Sequence, residues 1–207
     1  MAYKNLINRL FFSIFFFAIY FFSLNNKYIL FIFGTIIYLL VLIEIIKFFK
    51  ILFKLTLFYL IFSYFFFTLY FFTTFDNLTF NIFVFTIIFF DSFSYLIGKF
   101  LGKNYIFKYI SPKKTLEGYL GGVFFTNLSI IFYFYLINID YNNFILILLI
   151  NLIIFISIVG DLIESFFKRK NNIKDSSKFL PGHGGYFDRF DSFIASIIML
   201  SVISLFI

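Results

Sequence analysis

The stretch FILILLINLIIFISIVGDLIESFFKRKNNIKDSSKFLPGHGGYFDRFDS, residues 144–192, decides the fold. Residues 144–167 are an apolar run, and about 20 such residues cross the hydrocarbon of a bilayer. The run ends in a polar segment, and a second apolar run continues from 192 to 207. Gly160–Ser192 carries Asp161, Glu164, Asp175, Asp188 and Asp191 out of 10 acidic residues. It also carries Lys168, Arg169, Lys170, Lys174, Lys178 and Arg189 out of 17 basic ones, and the single histidine, His183. A greasy scaffold with one concentrated polar segment predicts chemistry at that segment.

Working outward, runs of spanning length recur. The spacing predicts membrane helices over about 10–24, 28–46, 51–75, 78–97, 119–137, 144–167 and 192–207. The fold class is therefore all-α, a polytopic transmembrane bundle of about seven spans. Mean hydropathy is +1.01 and 62% of residues are hydrophobic, which excludes a soluble core. No internal repeat, linker or soluble domain interrupts the chain, so 1–207 reads as one domain. Within it, 1–75 form N-terminal helices and 78–207 the catalytic part. Lys4 and Arg9 precede an apolar run with no small-residue cleavage site, so the start reads as the first helix and not as a signal peptide. The 41 Phe and 15 Tyr fit a compositional bias shared with Ile, Asn and Lys, and are read as lipid-facing or packing residues. The absence of cysteine excludes disulfides and thiolate metal sites.

Charge predicts orientation. With a cytoplasmic N-terminus, every basic residue except Lys27 falls on the inside, including those of the loops 98–118 and 168–191. Such asymmetry is a positive-inside signal. The net charge of +7 suits anionic head groups and phosphates.

Four constellations can carry chemistry. Asp161, Glu164, Ser165 and Lys168, at i, i+3, i+4 and i+7, share one helix face at the cytoplasmic end of a span. Ionisable groups at such depth are costly and usually face a wet cavity. Asp188 and Asp191 open the last helix, where acids also serve as caps. Two helix ends that each bring a carboxylate pair can share a hard cation, and oxygen ligands without Cys suit Mg²⁺. Asp161 and Asp188 are the expected central ligands, with Asp191 and Asp175 in support and Glu164 orienting the site. The turn Pro181–Gly185 can bring backbone N–H groups, Gly184 among them, close to phosphate. His183 within it is either a phosphate contact or structural. Lys113 and Lys114, ahead of a glycine-containing helix start, would attract a polyphosphate. Asp91, deep in the fourth span, is a further candidate. Glu44 also lies inside a span, but it has no polar neighbour within a turn and ranks low.

These residues form a pattern. The run S-x-F-K-R-x4-K-D-S-S-x2-L-P-G-H-G-G-x2-D-R-x-D, from Ser165 to Asp191, resembles the signature of the phosphatidate cytidylyltransferase (CDP-diacylglycerol synthase) family. G-D-L-x-E-S at Gly160–Ser165, S-P-K-K-T-x-E-G at Ser111–Gly118 and the Asp91–Gly98 segment are similar to that family too, so the resemblance covers roughly 90–200. Tyr186, Leu116 and Ser94 depart from the usual residues, whereas no charged motif position is lost. The resemblance implies transfer of CMP from CTP to phosphatidate, giving CDP-diacylglycerol and pyrophosphate. It also implies Mg²⁺, with K⁺ as a candidate second cation, and a homodimer in a bacterial inner (cell) membrane, with no nucleic acid partner. On this reading Asp161, Asp188, Lys168 and Asp191 are catalytic. Lys113, Lys114, Ser165, Arg169, Lys174, His183, Gly184 and Arg189 bind substrate. A related CTP-dependent transferase or kinase for another lipid is the alternative. A cation transporter is disfavoured, because there is no repeat and the acids cluster at one face.

Overall fold

A computed structural model describes residues 18–24, 26–107, 109–138, 143–177, 179–180 and 184–206. Residues 18–23 are helical (α1). They are followed by α2 (Lys27–Phe48), α3 (Phe53–Thr73), α4 (Asn77–Leu101), α5 (Leu116–Leu136), α6 (Asn143–Lys170) and α7 (Phe187–Ser204). Among the described residues, the only extended pairing is two isolated bridges, Tyr105 with Thr115 and Leu180 with Gly184. The chain is an integral membrane helix bundle. Five of its helices, α2 to α6, are long and apolar enough to cross a bilayer. The 18-residue α7 is not among them: it carries Asp188, Arg189 and Asp191 in its first turns. At 1.5 Å per residue it reaches about 27 Å.

Several helix starts follow from capping side chains. Asn26 accepts from the Tyr28 amide, Asp76 from the Thr79 amide and Thr115 from the Gly118 amide, each satisfying a donor that the first turn leaves open. α7 has no cap of its own, since Tyr186 makes no side-chain cap bond.

α7 is the central element. It packs on α6 and α3, and its buried side chains alternate Ile194, Ile197 and Leu200 with Ser192, Ser196 and Ser201. Small residues at such faces let backbones approach, which is how helices associate in lipid without a hydrophobic driving force. Gly160 makes the α6–α7 approach possible. A Cβ there would collide with Ala195 Cβ and lie 2.9 Å from the Asp191 carbonyl oxygen. One core cluster joins α2, α3 and α7 with the inner faces of α4 and α6, with Phe67, Phe83 and Ile194 at its heart; a second lies between α4, α5 and α6 around Ile130 and Ile150. Outward, Phe58, Phe72 and Phe144 are well over half exposed, as lipid-facing side chains are.

Asn127 on α5 and Asn151 on α6 exchange amide hydrogen bonds of 3.3 Å, and each also donates to the carbonyl four residues back. Interhelical polar pairs of this kind contribute about 0.6–2 kcal/mol in lipid. Asn127→Leu should therefore lower the melting temperature in detergent by a few degrees, roughly 2–4 °C per kcal/mol for a chain of this size. An unchanged melting temperature would show that the pair contributes nothing.

The turn at 49–52, the α4–α5 loop and the α6–α7 loop meet at one end of the bundle. Asn171, just after α6, accepts from the Ile51 amide at 2.7 Å and returns a bond to the Ile51 carbonyl at 2.9 Å. At the opposite end, Thr74 and Ser204 hydroxyls pair at 2.6 Å. The loops at the first end carry most of the basic side chains, the asymmetry that the sequence predicts.

Candidate active site

A cavity of about 640 Å³ opens at the basic end, between α4, the α4–α5 loop, α6 and the start of α7. Its wall includes Asp91 and Ser94 from α4, and Lys113 and Lys114 from the loop. Asp161 comes from α6, and Asp188, Arg189 and Asp191 come from α7. Seven predicted site residues thus converge from segments up to a hundred positions apart.

The α4–α5 loop reaches the cavity because it is folded back on itself. The Ile106 amide donates to the Lys114 carbonyl and the Leu116 amide to the Asn104 carbonyl. Glu117, on the first turn of α5, anchors the other side: it accepts from the Lys103 amide at 3.1 Å and from the Asn104 side chain at 2.7 Å. Lys114 is thereby held across the cavity from α6 and forms an ion pair with Asp161. Burial pulls the Lys114 ammonium below the usual lysine range, while the carboxylates of Asp191, Asp91 and Glu164 pull it back up.

Behind the cavity wall lies a second set of charges. Lys168 Nζ sits 2.6 Å from Glu164 Oε2 and 2.7 Å from Asp188 Oδ1, so one ammonium compensates two carboxylates. Glu164 is 1% exposed. Asp188 Oδ2 accepts from the Ser176 amide at 2.8 Å and the Gly185 amide at 2.9 Å. Gly184 lies against the same oxygen: its φ is +83°, and a side chain there would collide with Asp188 Oδ2. Asp191 Oδ1 accepts from the Ser192 amide at 2.9 Å.

Other predicted residues lie elsewhere. Ser165 is buried on α6 away from the cavity wall. Arg169 donates to the carbonyls of Ile110 (3.2 Å) and Ile173 (3.3 Å), tying the two polar loops together. Lys174 and Asp175 are exposed on the α6–α7 loop and do not line the cavity. His183 lies outside the described residues. Glu44 ranks low in the sequence for want of polar neighbours within a turn; the fold brings polar neighbours to it from the other end of the chain. Glu44 is fully buried and accepts four hydrogen bonds, all from residues beyond position 175. Glu117 stands in the S-P-K-K-T-x-E-G run, but its anchoring contacts are not legible there, because its partners precede it by 13 or 14 positions in the basic loop.

Among the described residues, no three Asp, Glu or His side chains enclose a metal ion. The donor chemistry nevertheless fits Mg²⁺, which typically binds one or two carboxylates and completes its shell with water and substrate phosphates. Asp161, Asp188 and Asp191 offer hard oxygens on one wall, beside lysines that offset their mutual repulsion.

Fold and site together define a membrane-embedded helix bundle with a mixed acidic and basic cavity at one end. The chain belongs to the cytidylyltransferase family, whose model matches residues 1–207. A 113-residue segment is 40% identical to the phosphatidate cytidylyltransferase of Staphylococcus aureus (strain COL), covering 55% of this chain and 44% of that protein. The proteins of the same name from Staphylococcus haemolyticus (strain JCSC1435) and Staphylococcus epidermidis (strain ATCC 12228 / FDA PCI 1200) are 37% identical over 113 residues, with the same coverage. The match therefore spans under half the length of each of these relatives.

Proposed function

We propose that this chain transfers CMP from CTP to phosphatidate, forming CDP-diacylglycerol and releasing pyrophosphate, at the cytoplasmic face of a bacterial cell membrane. The observation that carries this reading is the cavity itself, in which three α6–α7 carboxylates face Lys113, Lys114 and Arg189 at the polar end of a lipid-embedded bundle. A phosphatidate phosphate oxygen attacks the α-phosphorus of CTP. A new P–O bond forms, the bond between the α-phosphorus and its bridging oxygen breaks, and the electron pair leaves with pyrophosphate. The nucleophile is already anionic near neutral pH, so the reaction needs no strong general base. The obstacle is the approach of two polyanions, and transfer of this kind depends on positioning and charge neutralisation.

The residues divide that work. Lys113, Lys114 and Arg189 hold phosphates. Asp161 and Asp188, with Asp191 in support, would hold Mg²⁺, which when bound neutralises charge on the triphosphate and leaving group. Asp161 holds Lys114 in place until substrate arrives. Lys168 neutralises Asp188 and Glu164 from behind.

Radiolabelled CTP with phosphatidate in mixed micelles, with and without Mg²⁺, tests the reading: a CDP-diacylglycerol product that depends on both lipid and Mg²⁺ is expected. Lys113→Ala and Lys114→Ala should each lower kcat/KM about tenfold or more, because a charge-assisted contact contributes about 1.5–3 kcal/mol. Wild-type kinetics in both variants would leave these lysines with topology alone. Cytoplasmic placement of the cavity rests on the basic asymmetry. Reporter fusions after Asp140 should read as external, and a cytoplasmic signal there would overturn the orientation.

A further inference from the structure

Glu44 sits one turn from the polar end of α2 and is 0% exposed. Its Oε1 accepts from the Ser177 hydroxyl at 2.6 Å and the Tyr186 amide at 2.8 Å. Its Oε2 accepts from the Ser176 hydroxyl at 3.1 Å and the Phe187 amide at 3.0 Å. Those two amides stand at the N-terminus of α7, where the helix has no side-chain cap of its own. Glu44 fills that role from a different helix, and its negative charge meets the positive end of the α7 dipole. The loop backbone lies directly against it. A Cβ on Gly185 would collide with Ser176 Oγ and come within 2.6–2.7 Å of both Glu44 oxygens. A buried carboxylate is tolerable because four donors replace its lost water.

The bonds continue to the cavity. Ser176 gives its hydroxyl to Glu44 and its amide to Asp188 Oδ2. Gly185 gives its amide to the same Asp188 oxygen, between the loop and the residues Glu44 caps. We propose that Glu44 is a positioning residue for the active site: from α2 it fixes the α6–α7 loop and the start of α7, and thereby sets the orientation of Asp188 in the cavity. This gives α2 a function in the site. The activity arm of the test rests on the cytidylyltransfer reading; the loop arm does not.

Glu44→Gln is the informative variant. It keeps the size but turns one acceptor into a donor, which must face an α7 amide or a serine hydroxyl. In membrane-inserted protein, tryptic cleavage within 171–180 should rise about tenfold relative to cleavage in the α4–α5 loop, which has no bond to Glu44. kcat/KM for CTP should fall about tenfold or more, the scale of one lost charge-assisted bond. Glu44→Asp, which keeps the charge, should recover part of both. Should Glu44→Gln fail to insert, Ser176→Ala removes one hydroxyl donor to Glu44, keeps the Ser176 amide bond to Asp188, and should shift both readouts in the same direction by a smaller factor. A wild-type cleavage ratio in the inserted Glu44→Gln protein, or in Ser176→Ala where that variant stands in, overturns the proposal. Equal loosening of both loops does so as well, since that is general loss of fold. If wild-type protein makes no CDP-diacylglycerol but the cleavage ratio still rises in Glu44→Gln, the functional reading fails and the positioning role stands.

Discussion

Asp161→Asn is expected to lower turnover by at least about 100-fold, the scale of losing a preorganised electrostatic partner of the reacting groups, while the protein still inserts in the membrane. Asn has nearly the size of Asp, so the Gly160 approach of α6 to α7 is undisturbed. The charge is removed and one oxygen becomes an amide NH₂, and two things are lost with them. Lys114 loses its partner across the cavity, and the α6 wall loses its hard oxygen anion. Two measurements separate these effects. If Asp161 chiefly holds Mg²⁺, the residual activity of Asp161→Asn should need far more Mg²⁺ for half-saturation. If it chiefly holds Lys114, then Lys114→Ala should reproduce the defect and the double variant should be no worse than either single one. Wild-type activity of Asp161→Asn at limiting Mg²⁺ would remove Asp161 from the site.

The cavity residues are legible in the sequence for a physical reason. A carboxylate such as Asp91 or Asp161 inside an apolar run is expensive in lipid, so its presence in the sequence alone marks a wet site. The helical spacing of Asp161, Glu164 and Lys168 places them on one face, and the structure joins Lys168 to Glu164 by an ion pair on that face. Glu44 carries the same signal, but its neighbours in sequence are apolar and point to no site. Its partners lie 132 to 143 positions away, and no local window reveals them. At Arg169 the motif points to substrate, and the fold adds contacts that no motif signals: its Nε and Nη1 donate to two loop carbonyls. The extents of the helices are the coarsest reading. α5 begins at Leu116, in a segment that sequence assigns to the basic loop, because Thr115 caps it and Glu117 in its first turn pins that loop.

Lys168→Met should be the most destabilising single change at the polar end. Lys168 is largely buried, and its ammonium compensates both Glu164 and Asp188. Met fills much the same volume but leaves two nearby carboxylates without their cation. Glu164 suffers most: it is 1% exposed, and Lys168 is the cation that pairs with it. Breaking a buried pair by removing one member costs about 3–5 kcal/mol, which for a chain of this size is a fall in melting temperature on the order of 10 °C. Asp188 keeps its bonds from Ser176 and Gly185, so the loop should stay attached while the carboxylate loses its second restraint. Activity should therefore fall even at temperatures where the variant remains folded. The origin of the defect can be checked with Glu164→Gln/Lys168→Met, in which the stranded buried charge is gone. That double variant should recover a large part of the lost melting temperature without regaining activity, because Asp188 still lacks its ammonium. A Lys168→Met protein that melts with the wild type would mean that the ion pairs of Lys168 contribute nothing to the fold. A double variant no more stable than Lys168→Met alone would mean that the cost does not come from Glu164.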